Sequence, residues 1–571
     1  MCLVKAICQD IHWSHEIMKT IEIYCENTKE TKAYPLGTTL EEIKDDLQIK
    51  LKNPICGALV NHKVKELSFA VVKSKRIQFI DYSHIDGRRL YTRSLLFLLY
   101  VAVRETFPQV KLRIMNGISQ GYYCELVGLE REITESDIFE LKSEMRSWVE
   151  RDLPFVKKGI PTEKAVDILV QQGLEEKARL FEQQGTLFSY LYFVNGLANY
   201  FYGHHVPSTG YLTNFGLVPY FDGLLLQIPQ TDNFDLLYPV IEQEKLFGVF
   251  KEHKQRATIL DVPDLGKLNE YTQMGKSGDI IKISEALHEK KIAEIANQID
   301  ERRDEIKVIL IAGPSASGKT TFSKRLAVQL AVNGLVPHMI SLDDYFVDRE
   351  KTPLDEHGEY DFESLEAIDI AFFNEQLLQL FNGEEVELPK FDFNLGRRTK
   401  SGEKLRIGDG HLLIVEGIHG NNPGLTPHVS NHQSFRIFLS ALTQISFDDH
   451  NHISTTDNRL IRRMIRDSLY RGYSAAETIK RWPSVKNGEE KNIFPYQENA
   501  DIMFNSALVY ELAVLKKYAE PLLKNVPENQ IEYCEANRLL KFFSYINSID
   551  DIEIPPTSLI REFLGGSSFR Y

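Results

Sequence analysis

A short stretch near the middle of the chain has the residue types and spacing of a phosphate cradle. Gly313-Pro314-Ser315-Ala316-Ser317-Gly318-Lys319-Thr320 fits G-x-x-x-x-G-K-[ST], the P-loop pattern. Glycines let backbone N–H groups approach phosphate oxygens, and a helix N-terminus behind the loop adds its positive dipole end. Lys319 has the reach for β- and γ-phosphates, and the Thr320 hydroxyl is suited to Mg²⁺. The context also fits. Val308-Ile309-Leu310-Ile311-Ala312 is a continuous apolar run, the pattern of a buried parallel strand. Behind the loop, Phe322, Leu326 and Leu330 recur at helical spacing.

Two more candidate groups stand at predicted strand ends, where α/β sheets open their ligand crevice. The run His338-Met339-Ile340-Ser341-Leu342 delivers Asp343-Asp344-Tyr345-Phe346, and Leu412-Leu413-Ile414-Val415 ends in Glu416-Gly417. A basic helix pattern follows: Arg459, Arg462, Arg463 and Arg466 fall at i, i+3, i+4 and i+7. It is either a solvated face or the dispersed positive charge that in-line phosphoryl transfer requires.

Taken in order with Tyr360-Asp361-Phe362-Glu363 and VELPKFDFNLGRRT at 386–399, these segments resemble the uridine kinase and phosphoribulokinase family. The likeness covers about residues 304–510, with Ala500–Asn505 in the place of the family's final strand. It implies ATP and Mg²⁺ as cofactors and a small hydroxyl compound as acceptor. It implies nucleotide contacts from Gly313, Ser315, Ser317, Gly318, Lys319, Thr320 and Thr321, and magnesium held by Thr320, Asp343 and Glu416. Catalysis would fall to Asp343 as general base, with Lys319, Arg466 and Arg471. Arg463, Arg466 and Arg471 match the family's lid pattern RR-x-x-RD-x-x-x-RG, and acceptor contacts would come from Tyr345, Glu363, Phe391, Arg398, Arg463 and Arg466. The departures concern the acceptor. Phe391 and Gly396 stand where uridine kinases carry a base-reading aromatic hydroxyl and a histidine, and Glu363 replaces the ribose-holding aspartate.

The front of the chain reads strand, polar turn, helix, strand, strand: TIEIYCEN, then LEEIKDDLQIKL, Ala58–Asn61 and Arg76–Ile80. Thr38 or Thr39 is the expected N-cap, with Glu41 and Glu42 at the positive helix end. On PLGTTLEEI, ALVNHKVKEL and IQFIDYSHIDGRRLYTRSL, the segment resembles a TGS domain, the β-grasp module of threonyl-tRNA synthetases. The next segment resembles the synthetase editing domain without its chemistry. Tyr91 and Leu95 hold the two HxxxH places, Phe201 holds the cysteine place, and only His205 survives. These replacements neither bind metal nor shuttle protons.

The expected fold is multidomain, α/β and α+β, with a parallel-sheet P-loop kinase domain. Its parts are an N-terminal extension (1–17), TGS-like β-grasp (18–84), editing-like domain (85–235), helical connector (236–303), kinase (304–510) and C-terminal extension (511–571), the last read as α/β decoration. The connector pattern rests on Leu287, Ile292, Ile295 and Ile299. Acids outnumber bases, 81 to 67, for a net charge of −14, which disfavours general nucleic-acid binding. Nucleic acid stays open through the TGS and editing-like region. The longest apolar run, Leu95–Val103, falls far short of a membrane span. The N-terminus lacks a signal-peptide core, and Met18 is an alternative start. Six scattered cysteines without a CxxC pair point to reduced thiols and a cytoplasmic location. An oligomer stays open. The leading expectation is a kinase acting on a nucleoside. The alternatives are a kinase of a sugar or polyol, an RNA- or tRNA-associated ATP switch, and a degenerate pseudokinase.

Overall fold

The computed structural model describes residues 20–355, 358–393 and 395–570. Met1, Met18, Cys2 and Cys8 lie outside the described residues. The chain divides into two compact units. One comprises Met1–Lys111, Leu126–Lys158 and Tyr190–Tyr238, and the other Leu112–Glu125, Gly159–Ser189 and Pro239–Tyr571. The stretch 85–235, grouped by sequence as one editing-like region, thus contributes residues to both units. Among the described residues, no helix is long and apolar enough to cross a membrane.

In the first unit, β1 (Thr20–Cys25), β2 (Glu30–Pro35), α1 (Leu40–Asp46), β3 (Ile55–Val60), β4 (Lys63–Lys65) and β5 (Lys75–Asp81) form a β-grasp. The sheet order is β2-β1-β5-β3-β4, with only β1 and β5 parallel. Helix α1 lays Leu40 and Ile43 on Ile21, Ile23 and Phe79. Thr39 is its N-cap, in a capping box: Glu42 N donates to Thr39 Oγ1 at 3.2 Å, and Thr39 N donates to the Glu42 carboxylate at 2.7 Å. The polar turn read at 28–35 is strand β2. Only Tyr34 of this strand is buried, so an edge position imposes no apolar alternation to read.

Helix α2 (Ile85–Thr106) buries every residue from Leu95 to Val103, so the longest apolar run is a core helix enclosed on all sides. Tyr91 donates its hydroxyl to Asn214 O at 2.8 Å, and Leu95 is fully buried. His205 sits against Phe155, Tyr192 and Phe201 with Nδ1 3.1 Å from Ser94 Oγ. Burial holds its pKa well below the ordinary histidine value, so it is neutral. Aromatic rings thus enclose His205, the one residue of the expected editing motif that the sequence retains.

The second unit is built on a five-stranded parallel sheet. Its elements are α3 (Ser277–Asp300), β6 (Val308–Ala312), α4 (Lys319–Val332), β7 (Val336–Ser341), α5 (Ile370–Phe381), β8 (Val386–Asp392), β9 (Arg397–Leu405), β10 (His411–Glu416), β11 (Ser434–Ser440), α6 (Thr455–Tyr470), α7 (Ala475–Asn492) and β12 (Ile502–Asn505). The strand order is β7-β10-β6-β11-β12, and β8 pairs with β9 as a separate antiparallel hairpin. The continuous apolar run of β6 serves two cores. Ile309 and Ile311 pack with Phe322, Leu326 and Leu330 of α4, and with Ile292, Ile295 and Ile299 of α3. Val308 and Leu310 pack with Phe373, Leu377 and Leu380 of α5. The helix read as connector therefore covers one face of the kinase sheet. The C-terminal residues, expected as α/β decoration, form α8 (Glu511–Lys524), α9 (Tyr533–Phe543) and α10 (Arg561–Leu564), with Leu559 in the same core as Ile309.

Because Phe322 is fully buried between α3 and the sheet, Phe322→Ala should destabilise this unit by about 3–5 kcal/mol, read from denaturant titration.

Candidate active site

The parallel sheet brings the candidate residues to one edge. The P-loop follows β6, Asp343 follows β7 and Glu416 ends β10, all at strand C-termini. The loop owes its shape to residues with positive φ: Gly313 at 156°, Ala316 at 60° and Gly318 at 87°. At Gly313 the space also demands glycine, since a Cβ would stand 2.2 Å from Leu439 O. Gly318 is the N-cap of α4, which aims the helix's unsatisfied N–H groups at the loop.

The loop carbonyls are paired with cations. Lys319 Nζ donates to Gly313 O at 2.9 Å and to Pro314 O at 3.3 Å. Arg459 donates to Ser315 O at 3.1 Å and pairs with the buried Glu489, Nη2 to Oε2 at 2.7 Å. Glu489 in turn accepts from Ser315 N at 2.9 Å. Arg462, completely buried, donates to Ser506 O at 3.0 Å and to Glu511 at 2.5 Å, with Ala316 O at 3.4 Å. Ser317 is buried in the loop. Thr320 donates its hydroxyl to Glu416 at 3.2 Å, and Thr321 donates N–H (3.2 Å) and hydroxyl (2.6 Å) to Glu562.

Of the basic-face arginines, Arg459 and Arg462 are buried braces, while Arg463 and Arg466 join Arg471 on one acid. Asp467, nearly inaccessible, takes Arg463 at 3.3 Å, Arg466 at 3.1 Å and Arg471 at 3.4 Å. Arg463 also donates to Ser315 Oγ at 2.9 Å. Asp343 is exposed at the C-terminal end of β7. Desolvation raises its pKa, and Lys319 pulls in the opposite direction. Desolvation lifts Glu416 to about 7, with Lys319 opposing and the Asp343 and Glu562 carboxylates adding to the rise. Glu363 is lifted to about 7 by desolvation and the Glu489 carboxylate. It lies against Gly488, where a Cβ would stand 2.4 Å from its own.

Residues 308–513 match the Phosphoribulokinase / Uridine kinase family. This segment is a domain of that family. The uridine kinase of Lactobacillus helveticus is 29% identical over 197 residues, covering 34% of this chain and 84% of that protein. The N-terminal region is similar to threonine–tRNA ligases. The one from Desulforamulus reducens is 25% identical over 189 residues, covering 33% of this chain and 29% of the ligase. The chain thus spans about three-tenths of the length of the ligases it matches. The solved D-glycerate 3-kinase from Cryptococcus neoformans is 14% identical, covering 45% of this chain and 87% of its own, with a TM-score of 0.22.

Within this uridine kinase-family domain, the residues expected at the acceptor do not all face the crevice. Tyr345 is buried, with its hydroxyl on Gln376 at 2.7 Å. Phe391 is in the core with Phe346. Arg398 pairs with Asp369 at 2.8 Å over the Phe372 ring. Asp344 accepts from Lys390 Nζ and Phe391 N, both at 3.2 Å, which ties β8 to the end of β7. At the family's histidine place, Gly396 has φ 66° and the Arg349 guanidinium lies across it, where a Cβ would clash at 2.9 Å. Asp467, Glu489 and Glu562 are not among the residues that the sequence singles out, and Arg459 and Arg462, read there as one basic face with Arg463 and Arg466, are buried. The arginines and Asp467 were visible in the helix pattern, but Glu489 and Glu562 carried no local signal.

Removing one partner of the Arg459–Glu489 pair strands a buried charge. Glu489→Ala should therefore cost about 3–5 kcal/mol in denaturant titration, well beyond an exposed Glu→Ala control. A second expectation concerns pH. The folded-state pKa of Glu363, about 7, lies above its ordinary 4.5, so the folded chain holds this proton more tightly. That stabilisation is complete below about pH 4.5 and is lost as pH rises through about 7. Thermal midpoints across this window should fall less steeply in Glu363→Gln; an identical slope would contradict the assignment.

Proposed function

We propose that this chain transfers the γ-phosphoryl group of Mg·ATP to a hydroxyl of a small acceptor of nucleoside type. The observation that carries the reading is the convergence of Lys319, Thr320, Asp343 and Glu416 on one sheet edge, within a family-matched segment. Asp343 accepts the acceptor hydroxyl's proton. The freed oxygen attacks the γ-phosphorus, the bond to the β–γ bridging oxygen breaks, and ADP leaves. Lys319 and the Asp467-bound set Arg463, Arg466 and Arg471 spread positive charge over the transferring oxygens.

The residues present fit magnesium. The Thr320 hydroxyl and the Glu416 carboxylate are in contact, and desolvation raises the Glu416 pKa, with the Asp343 and Glu562 carboxylates adding to the rise against Lys319; a divalent cation would favour the ionised carboxylate there. Among the described residues, no three His, Cys, Asp or Glu side chains are grouped to hold a metal. This agrees with Mg²⁺, which takes one or two carboxylates and leaves the rest of its shell to phosphate and water. The cation would supply charge neutralisation between the β- and γ-phosphates.

Phe391 and Gly396, in place of a base-reading hydroxyl and imidazole, favour a second acceptor class, a sugar or polyol. The threonine–tRNA ligase likeness supports a different second reading, an RNA-associated ATP switch, which predicts salt-dependent tRNA binding by the full chain. The deciding experiment is acceptor-dependent ADP release from Mg·ATP, screened over nucleosides, sugars and polyols. No stimulation by any class would sink the kinase reading. With an acceptor in hand, Asp343→Asn should keep nucleotide binding and lower turnover by about 10²–10⁴-fold. Unchanged turnover would show that Asp343 is not the base.

A further inference from the structure

We propose that Glu562 is an internal occupant of the nucleotide site, a tethered carboxylate that holds the donors of Thr321 in competition with a nucleotide phosphate. This rests on the reading of the P-loop as a nucleotide site. Glu562 lies beyond the family-matched residues 308–513, so the family pattern assigns it nothing. Thr321 is in the first turn of α4, where backbone N–H groups have no intrahelical partner and an anion is the favoured acceptor. Both of its donors, N–H at 3.2 Å and hydroxyl at 2.6 Å, go to the same oxygen, Glu562 Oε2. A phosphate oxygen binding there needs the same two hydrogens. One N–H cannot serve two anions, and two anions cannot share the place without mutual repulsion.

The segment that carries Glu562 is anchored. Arg561 Nη1 pairs with Asp551 Oδ2 at 2.8 Å, and Nη2 donates to Ile554 O at 2.9 Å. Leu559, Ile560 and Phe563 are fully buried, and Leu559 shares the core of Phe322 and Leu326. The buried Arg462 guanidinium lies over the Phe563 ring, 5.0 Å from its centroid, so α10 and the loop are braced by one side chain. Withdrawing α10 would unmake that core, whereas rotating the Glu562 side chain alone takes its carboxylate off the Thr321 donors. The carboxylate keeps the helix N-terminus satisfied before nucleotide arrives and sets a threshold that a phosphate must exceed.

The test is calorimetric titration of the full chain with Mg·ATP, with adenosine as the phosphate-free control. Glu562→Gln removes the charge, and Glu562→Asp keeps the charge but shortens the reach. Release of one charge-assisted contact from the competitor should tighten Mg·ATP binding about tenfold in each variant, with adenosine unchanged. An unaltered Mg·ATP Kd in Glu562→Asp would overturn the proposal, because simple charge repulsion predicts that result. A crystal structure of the unmodified chain with Mg·ATP needs no variant: it should show Glu562 turned off Thr321, and a carboxylate still bound there beside the nucleotide would overturn the proposal as well. The nucleotide-site reading fails separately if Lys319→Ala binds Mg·ATP as tightly as the unmodified chain does.

Discussion

A loop that offers backbone N–H groups to phosphate leaves carbonyls that need partners of their own. Here those partners are cations. Lys319 takes Gly313 O and Pro314 O, Arg459 takes Ser315 O, and Arg462 lies by Ala316 O. Each buried arginine needs its own acid, because an unpaired guanidinium in the interior is very costly. Glu489 and Glu511 meet that need, which ties α7 and α8 to a loop that follows β6. The placement of three distant segments, α6, α7 and α8, follows from one strip of backbone.

The same demand explains the charge distribution. Asp343, Glu363, Glu416, Glu489 and Glu562 all surround the loop, and Lys319 is the cation opposing several of them. The arginines of the lid pattern are collected on Asp467, which draws three positive charges to one place beside the loop. Asp343 and Glu416 stand at the sheet edge, while Arg459, Arg462, Arg463 and Arg466 come from α6. A net charge of −14 is compatible with a polyanion site because the local arrangement, and not the sum, sets the field.

In the N-terminal unit the constraint is packing. The β-grasp was legible as a set of strands and a capped helix, since Thr39 and Glu42 are a local signal. The edge strand β2 was not, because a strand with one buried residue leaves no alternation. Tyr91, Leu95 and Phe201, which the sequence puts in the places of the synthetase's editing residues, are all buried in the core. That His205 ends as a neutral, hydrogen-bonded core residue emerged only from its aromatic surroundings.

By itself, the sequence determined the P-loop, the apolar strand before it, the acids at two strand ends and the arginine spacing, because each is encoded within a few residues of chain. It could not sort Arg459 and Arg462 from Arg463 and Arg466. All four share a helical pattern, and burial depends on Glu489 and Glu511, which lie 30 and 49 residues away from their partners. Nor could it show that Tyr345 points into the core, that Ile292 and Ile295 cover the kinase sheet, or that Glu562 reaches Thr321 across 241 residues. Only the tertiary structure decided these, because a buried charge or an unsatisfied helix end takes its partner from whichever segment the fold brings within hydrogen-bond distance.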